Sequence, residues 1–157
     1  RGRHGAGGFT LPEVVLVLLV SALAGVLLFT MTGRVRQNQR REQFAAELQE
    51  FEAAFQAYHR QQRTWPPSTK GEAVMPKGME DVLVETDWVR GSPFGGSYGW
   101  DSRGAVVLTA FAPAFPLDLT RADLLAIDRQ IDDGDPATGR LRTGFNGWPV
   151  YYVGEIP

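Results

Sequence analysis

The chain of 157 residues has no cysteine and only two histidines. The first absence excludes disulfide staples, thiol catalysis and cysteine-held metals. It leaves the compartment open, because an oxidising space permits disulfides without requiring them. His4 and His59 form no paired zinc motif, and neither stands in a pattern with a serine nucleophile and an orienting third group. His59 reads as a solvated helix residue, and no enzyme is expected. Aromatics are nowhere interleaved with Lys and Arg, so the footprint of a nucleic-acid surface is missing too. The last absence is local: residues 14–31 carry no charge at all.

The net charge of −2 is unevenly spread. Arg1, Arg3, Arg34, Arg36, Arg40 and Arg41 against Glu13 give residues 1–41 a charge of +5, leaving −7 on residues 42–157. A basic segment around an apolar run, followed by an acidic domain, suits a membrane-anchored protein. The length allows one small domain plus one long element.

Val14 to Met31 spans about 27 Å as a helix, enough to cross a hydrocarbon core. A buried core helix would need more surrounding chain than the sequence supplies. A secretory signal peptide would place small residues after the apolar run. Here Gly5, Ala6, Gly7 and Gly8 precede it. Pro12 is tolerated in a first helical turn, which places the helix start near Phe9 to Leu11. Glu13 then sits at the edge of an apolar segment, where an ionisable residue needs a partner. A cut between Gly8 and Phe9 would create such a partner, the new α-amino group of Phe9 on a neighbouring copy. The alternative is that Glu13 snorkels to the headgroups or is protonated.

Gly8-Phe9-Thr10-Leu11-Pro12-Glu13 followed by Val14 to Val20 resembles the N-terminal signal of type IV prepilins and type II secretion pseudopilins. The resemblance covers about 25 residues. It implies cleavage after Gly8 by a prepilin peptidase, methylation of Phe9, and a role for Glu13 in subunit register. It also implies an inner-membrane, single-pass chain with its C-terminal head in the periplasm. Its partners would be homologous pilin or pseudopilin subunits and an inner-membrane assembly platform. Counting basic residues alone puts the head on the other side, because Arg34, Arg36, Arg40 and Arg41 follow the span.

The helical pattern continues. Phe44, Leu48, Phe51, Phe55 and Tyr58 recur at steps of four and three, one narrow stripe. Trp65-Pro66-Pro67 stops the helix. Residues 66–87 read as loop-rich, with a short helical turn over Met79 to Val84. Ser92 to Phe111 reads as a β-hairpin turning at Ser102-Arg103-Gly104. Its Pro93-Phe94-Gly95-Gly96-Ser97-Tyr98 segment resembles the Pro-Trp-Gly-Asn-Pro-Tyr type segment of major pseudopilins. Thr120-Arg121-Ala122-Asp123 resembles a capping box, and the helix after it should end by Gly134. Asp132, Asp133 and Asp135 read either as an ordinary turn or as a calcium loop, with Asp128 joining only if the last helical turn folds back. Phe145 to Val153 reads as a turn and an edge strand.

The expected fold is α+β and pilin-like, a long N-terminal helix packed on a small antiparallel sheet. Residues 1–8 are a leader remnant, 9–31 a transmembrane or filament-core helix, 32–64 its amphipathic continuation and 65–157 the head. The expected function is a structural subunit of a type II secretion pseudopilus. A type IV pilus pilin remains open, as does a monomeric membrane-anchored periplasmic binding module.

Overall fold

A computed structural model describes residues 10–69, 74–84, 86–109, 117–144 and 147–154. The fold is α+β. The elements run α1 (Leu11–Gln62), α2 (Glu80–Leu83), β1 (Ser97–Asp101), β2 (Ala105–Thr109), α3 (Arg121–Ile131), β3 (Leu141–Thr143) and β4 (Pro149–Tyr152). The chain divides into two compact units, Arg1–Asn38 and Gln39–Pro157.

In the first unit the described residues belong to α1, apart from Thr10, and are almost all exposed. α1 ends where Arg63 turns left-handed (φ 59°) and its N–H closes on the His59 carbonyl at 2.8 Å. The two prolines that follow cannot resume a helix.

The second unit holds a four-stranded antiparallel sheet in the order β1-β2-β4-β3. Its register lines up Trp100 with Val106, Val106 with Tyr151, and Tyr151 with Leu141. Residues directly opposite share a face, so this row presents one continuous apolar surface. All four side chains are buried, as are Phe44, Leu48, Phe51 and Phe55 of the α1 stripe. The stripe meets the sheet through rings. Phe55 stacks on Trp100 at 3.7 Å, Phe51 meets Tyr98 edge-on at 4.7 Å, and Phe44 stacks on Tyr98 at 6.2 Å. Each such pair adds about 0.5–1.5 kcal/mol beyond the burial itself. Trp88, brought in after α2, closes the core against Phe51 at 5.0 Å.

The β1–β2 turn needs its glycine. Gly104 has φ 91°, and its N–H returns to the Asp101 carbonyl at 2.9 Å. The outer edge of β1 is covered: Thr69 gives its N–H to the Trp100 carbonyl at 2.9 Å, and its hydroxyl receives the Trp100 N–H at 2.8 Å. That protects an edge otherwise open to another strand.

Two expectations are corrected. The C-terminal strand is interior, because β4 lies between β2 and β3, and the three-residue β3 takes the edge. Pro149 is tolerated because it stands first in β4, ahead of the pairing with β2 that begins at Val150. His59 is half-buried instead of solvated. Its ring stacks on Trp65 at 4.1 Å, and its Nδ1 is shielded without a hydrogen-bond partner.

Candidate functional site

Gly8 and Phe9, the expected cleavage and methylation residues, lie outside the described residues. Glu13 lies in the first turn of α1. Its Oε2 accepts the Thr10 N–H at 3.1 Å and the Thr10 hydroxyl at 3.0 Å. Both bonds fall on the same oxygen, and among the described residues no other donor reaches Glu13. The Val14 N–H to Thr10 carbonyl bond, 3.1 Å, closes the turn at the point where Pro12 needs no partner.

Beyond this polar start the helix surface is apolar on every side. Leu11 is 81% exposed and Phe29 82%, with Leu16, Leu18, Leu19, Leu23 and Val26 between 61% and 64%. α1 is long and apolar enough to cross a membrane, and none of its apolar window is buried among the described residues. Burying one such side chain is favourable by about 1.5–3 kcal/mol, so a surface of this extent requires lipid or protein against it.

The α1 segment of the second unit is fastened by ion pairs that the sequence pattern did not single out. Arg40 reaches Asp118 at 2.8 Å and the Pro93 carbonyl at 2.8 Å, with its guanidinium 4.6 Å above the Phe94 ring. Arg41 pairs with the buried Asp123 at 2.7 Å. Asp123 also completes the capping box, taking the Thr120 N–H at 3.0 Å while its own N–H bonds the Thr120 hydroxyl at 3.1 Å. Two of the four arginines that follow the apolar run are thus explained by packing of the head.

Glu47 and Glu52 also belong to the sheet contact. Glu47 is buried and accepts the Tyr98 hydroxyl at 2.5 Å and the Gln43 amide at 2.8 Å. Burial raises its pKa above the usual glutamate value, against the lowering effect of those two donors. Burial and the Glu47 charge push the Tyr98 phenol well up, so the phenol keeps its proton and donates. Glu52 accepts the Tyr151 hydroxyl at 2.5 Å and pairs with Arg140.

Carboxylate oxygens of Asp128, Asp132 and Asp133 lie within 4.8 Å of one another. Asp135 is not in this group, and its Oδ1 accepts the Ala137 N–H at 3.0 Å. Asp132 Oδ2 receives the backbone N–H groups of Arg140 and Leu141, the latter at 2.9 Å. Asp133 takes the Asp135 N–H at 2.9 Å and the Thr138 hydroxyl at 2.8 Å. Asp128 is fully shielded, and neither of its oxygens has a hydrogen-bond partner. Its pKa is raised to about 6, chiefly by burial and then by the charges of Asp132 and Asp133, with the nearby Gly134 N–H opposing.

Asp128 was legible only in part. Its place four residues after Leu124 and one after Ile127 puts it on the buried face of α3, a signal that helical spacing could have given.

Comparison with family models, with curated proteins and with solved structures finds no match.

Proposed function

We propose that the chain is a filament-forming structural subunit of the pilin-like class, of the kind that builds a type II secretion pseudopilus. The observation that carries this reading is the pairing of an apolar α1 surface with a single carboxylate, Glu13, at its start. Lipid can cover Leu11 to Met31, but it offers nothing to Glu13. An ionisable group at such a depth costs several kcal/mol unless it is partnered. Thr10 satisfies one oxygen, and a cation from a neighbouring copy would satisfy the other. The α-amino group of Phe9, released on a sister copy by cleavage after Gly8, has the charge and the reach in sequence to be that cation.

In this reading a prepilin peptidase trims residues 1–8 and methylates Phe9. The chain waits in the inner membrane as a single-pass protein with residues beyond the span in the periplasm. An assembly platform then exchanges lipid contacts of α1 for contacts with homologous subunits. The head supports a scaffold role rather than catalysis. Arg40, Arg41, Glu47, Glu52, Asp123 and Arg140 are engaged in packing, and among the described residues the groove of about 430 Å³ beside α3 has only Arg121 and Asp135 as charged lining. Arg40 and Arg41 also weaken the orientation argument from basic residues, since both are engaged by head carboxylates.

Mass spectrometry of the protein from cells carrying an active prepilin peptidase tests the processing. A chain beginning at Phe9 with one added methyl group is expected. An intact leader would count against the proposal. The genes beside this one separate a secretion system from a pilus.

A further inference from the structure

Four arginines follow the apolar run, and the head accounts for two of them. Arg40 and Arg41 are held by Asp118 and Asp123. Arg34 and Arg36 are exposed on α1, and among the described residues neither has an ion pair or a side-chain hydrogen bond. Both belong to the compact unit that carries the apolar run.

Their place along α1 sets what they meet. Between Glu13 and Arg34 lie 20 residues without a charge. At a rise of 1.5 Å per residue these cover about 30 Å, the thickness of a hydrocarbon core. Headgroups add about 5–7 Å on each side of that core. Arg34 therefore stands at the boundary and Arg36 about 3 Å further out, both at the level of the lipid phosphates. Side chains on a helix lean toward its N-terminus, so both guanidinium groups lean back toward the lipid. Successive residues turn by about 100°, which puts Arg34 and Arg36 nearly opposite each other around the helix, each against a separate lipid. The sequence places no acid between Glu13 and Glu42 to compete for them. A guanidinium takes a phosphate through paired N–H donors. A zwitterionic headgroup sets its own ammonium against that phosphate, whereas phosphatidylglycerol leaves it uncompensated.

We propose that Arg34 and Arg36 form a two-sided collar for anionic phospholipid headgroups at the C-terminal end of the span. Such a collar requires the membrane span of the proposed function but not the filament.

The test uses the full-length protein in bilayers of equal phosphatidylglycerol and phosphatidylcholine. After extraction in mild detergent, the retained lipids are counted by mass spectrometry. An arginine near an anionic surface favours the charged lipid by about fivefold, and the parent should retain phosphatidylglycerol over phosphatidylcholine by about that ratio. The double variant Arg34→Gln/Arg36→Gln should bring the ratio to about one, with each single variant between. Glutamine is as good a helix former as arginine, so α1 is kept. Arg60→Gln, at an exposed arginine of the second unit, should leave the ratio unchanged. A parent ratio near one overturns the collar alone. So does a double variant that keeps the parent's preference, the result expected if the two arginines serve carboxylates of a neighbouring copy. A parent protein that alkaline carbonate strips from the bilayer overturns the collar and the span together.

Discussion

Replacing Tyr98 by Phe removes one oxygen and leaves the ring packing of the core intact. The phenol donates to Glu47 at 2.5 Å, and Glu47 is only 4% exposed. Without it the buried carboxylate keeps Gln43 as its other donor. A hydrogen bond to a charged acceptor contributes about 1.5–3 kcal/mol, and leaving a buried acceptor short costs a similar amount. Tyr98→Phe should therefore destabilise the head by about 2 kcal/mol at pH 7.5. Phe44, Phe51 and Trp88 keep their ring partner at position 98.

The same pair sets a pH dependence. Burial raises the folded pKa of Glu47 above its unfolded value. The folded state then binds the proton more tightly than the unfolded one. The resulting stability is fully present below the unfolded carboxylate value of about 4.3 and is lost as pH rises through the folded pKa. Glu47→Gln, which cannot ionise, should flatten that slope. Denaturant unfolding followed by tryptophan fluorescence gives both quantities, since Trp88 and Trp100 lie in the same core. A Tyr98→Phe protein within about 0.5 kcal/mol of the parent at pH 7.5, well below the expected cost, would refute the reasoning. So would a Glu47→Gln protein with an unchanged pH slope.

Other substitutions separate buried from exposed contacts. Phe55→Ala removes the ring stacked on Trp100 and should cost about 3–5 kcal/mol, seen as a lower melting temperature and lost near-UV dichroism. Arg41→Ala takes the charge partner from Asp123, whose side chain is 1% exposed, and should cost about 3 kcal/mol or more by chemical denaturation. Arg103→Ala breaks the exposed pair with Asp101 and should leave the melting temperature unchanged. Thr120→Ala removes the α3 cap and should cost about 1 kcal/mol by the same unfolding assay.

Much of this architecture follows from local rules. The 4-3-4 spacing of Phe44, Leu48, Phe51 and Phe55 defines the buried face of α1, and Trp65-Pro66-Pro67 marks where that helix stops. Gly104 marks the β1–β2 turn, and Thr120 with Asp123 marks the start of α3. The missed features depend on partners distant in sequence. β3 is too short to show an alternation, and its pairing with β4 decides that β4 is interior. Glu47 looks like one of several helix acids until Tyr98, 51 positions later, arrives above it. Arg40 and Arg41 look like residues flanking a membrane until Asp118 and Asp123 meet them. The acidic loop was visible as a cluster with Asp128 as a conditional member, but the burial of Asp128 was not, because it lies within a helix and outside the Asp-Gly run.

The account depends most on sister copies packing against residues 11–31 with Glu13 matched to a charge on its neighbour. The absence of native cysteine makes disulfide trapping clean. Leu16→Cys, Leu19→Cys and Leu23→Cys, introduced singly and oxidised in cells that express the assembly machinery, should yield cross-linked copies at one or more positions. Adding Glu13→Leu should abolish those links while the protein stays in the membrane. Only monomer at all three positions, or links that persist undiminished with Glu13→Leu, would contradict the central claim.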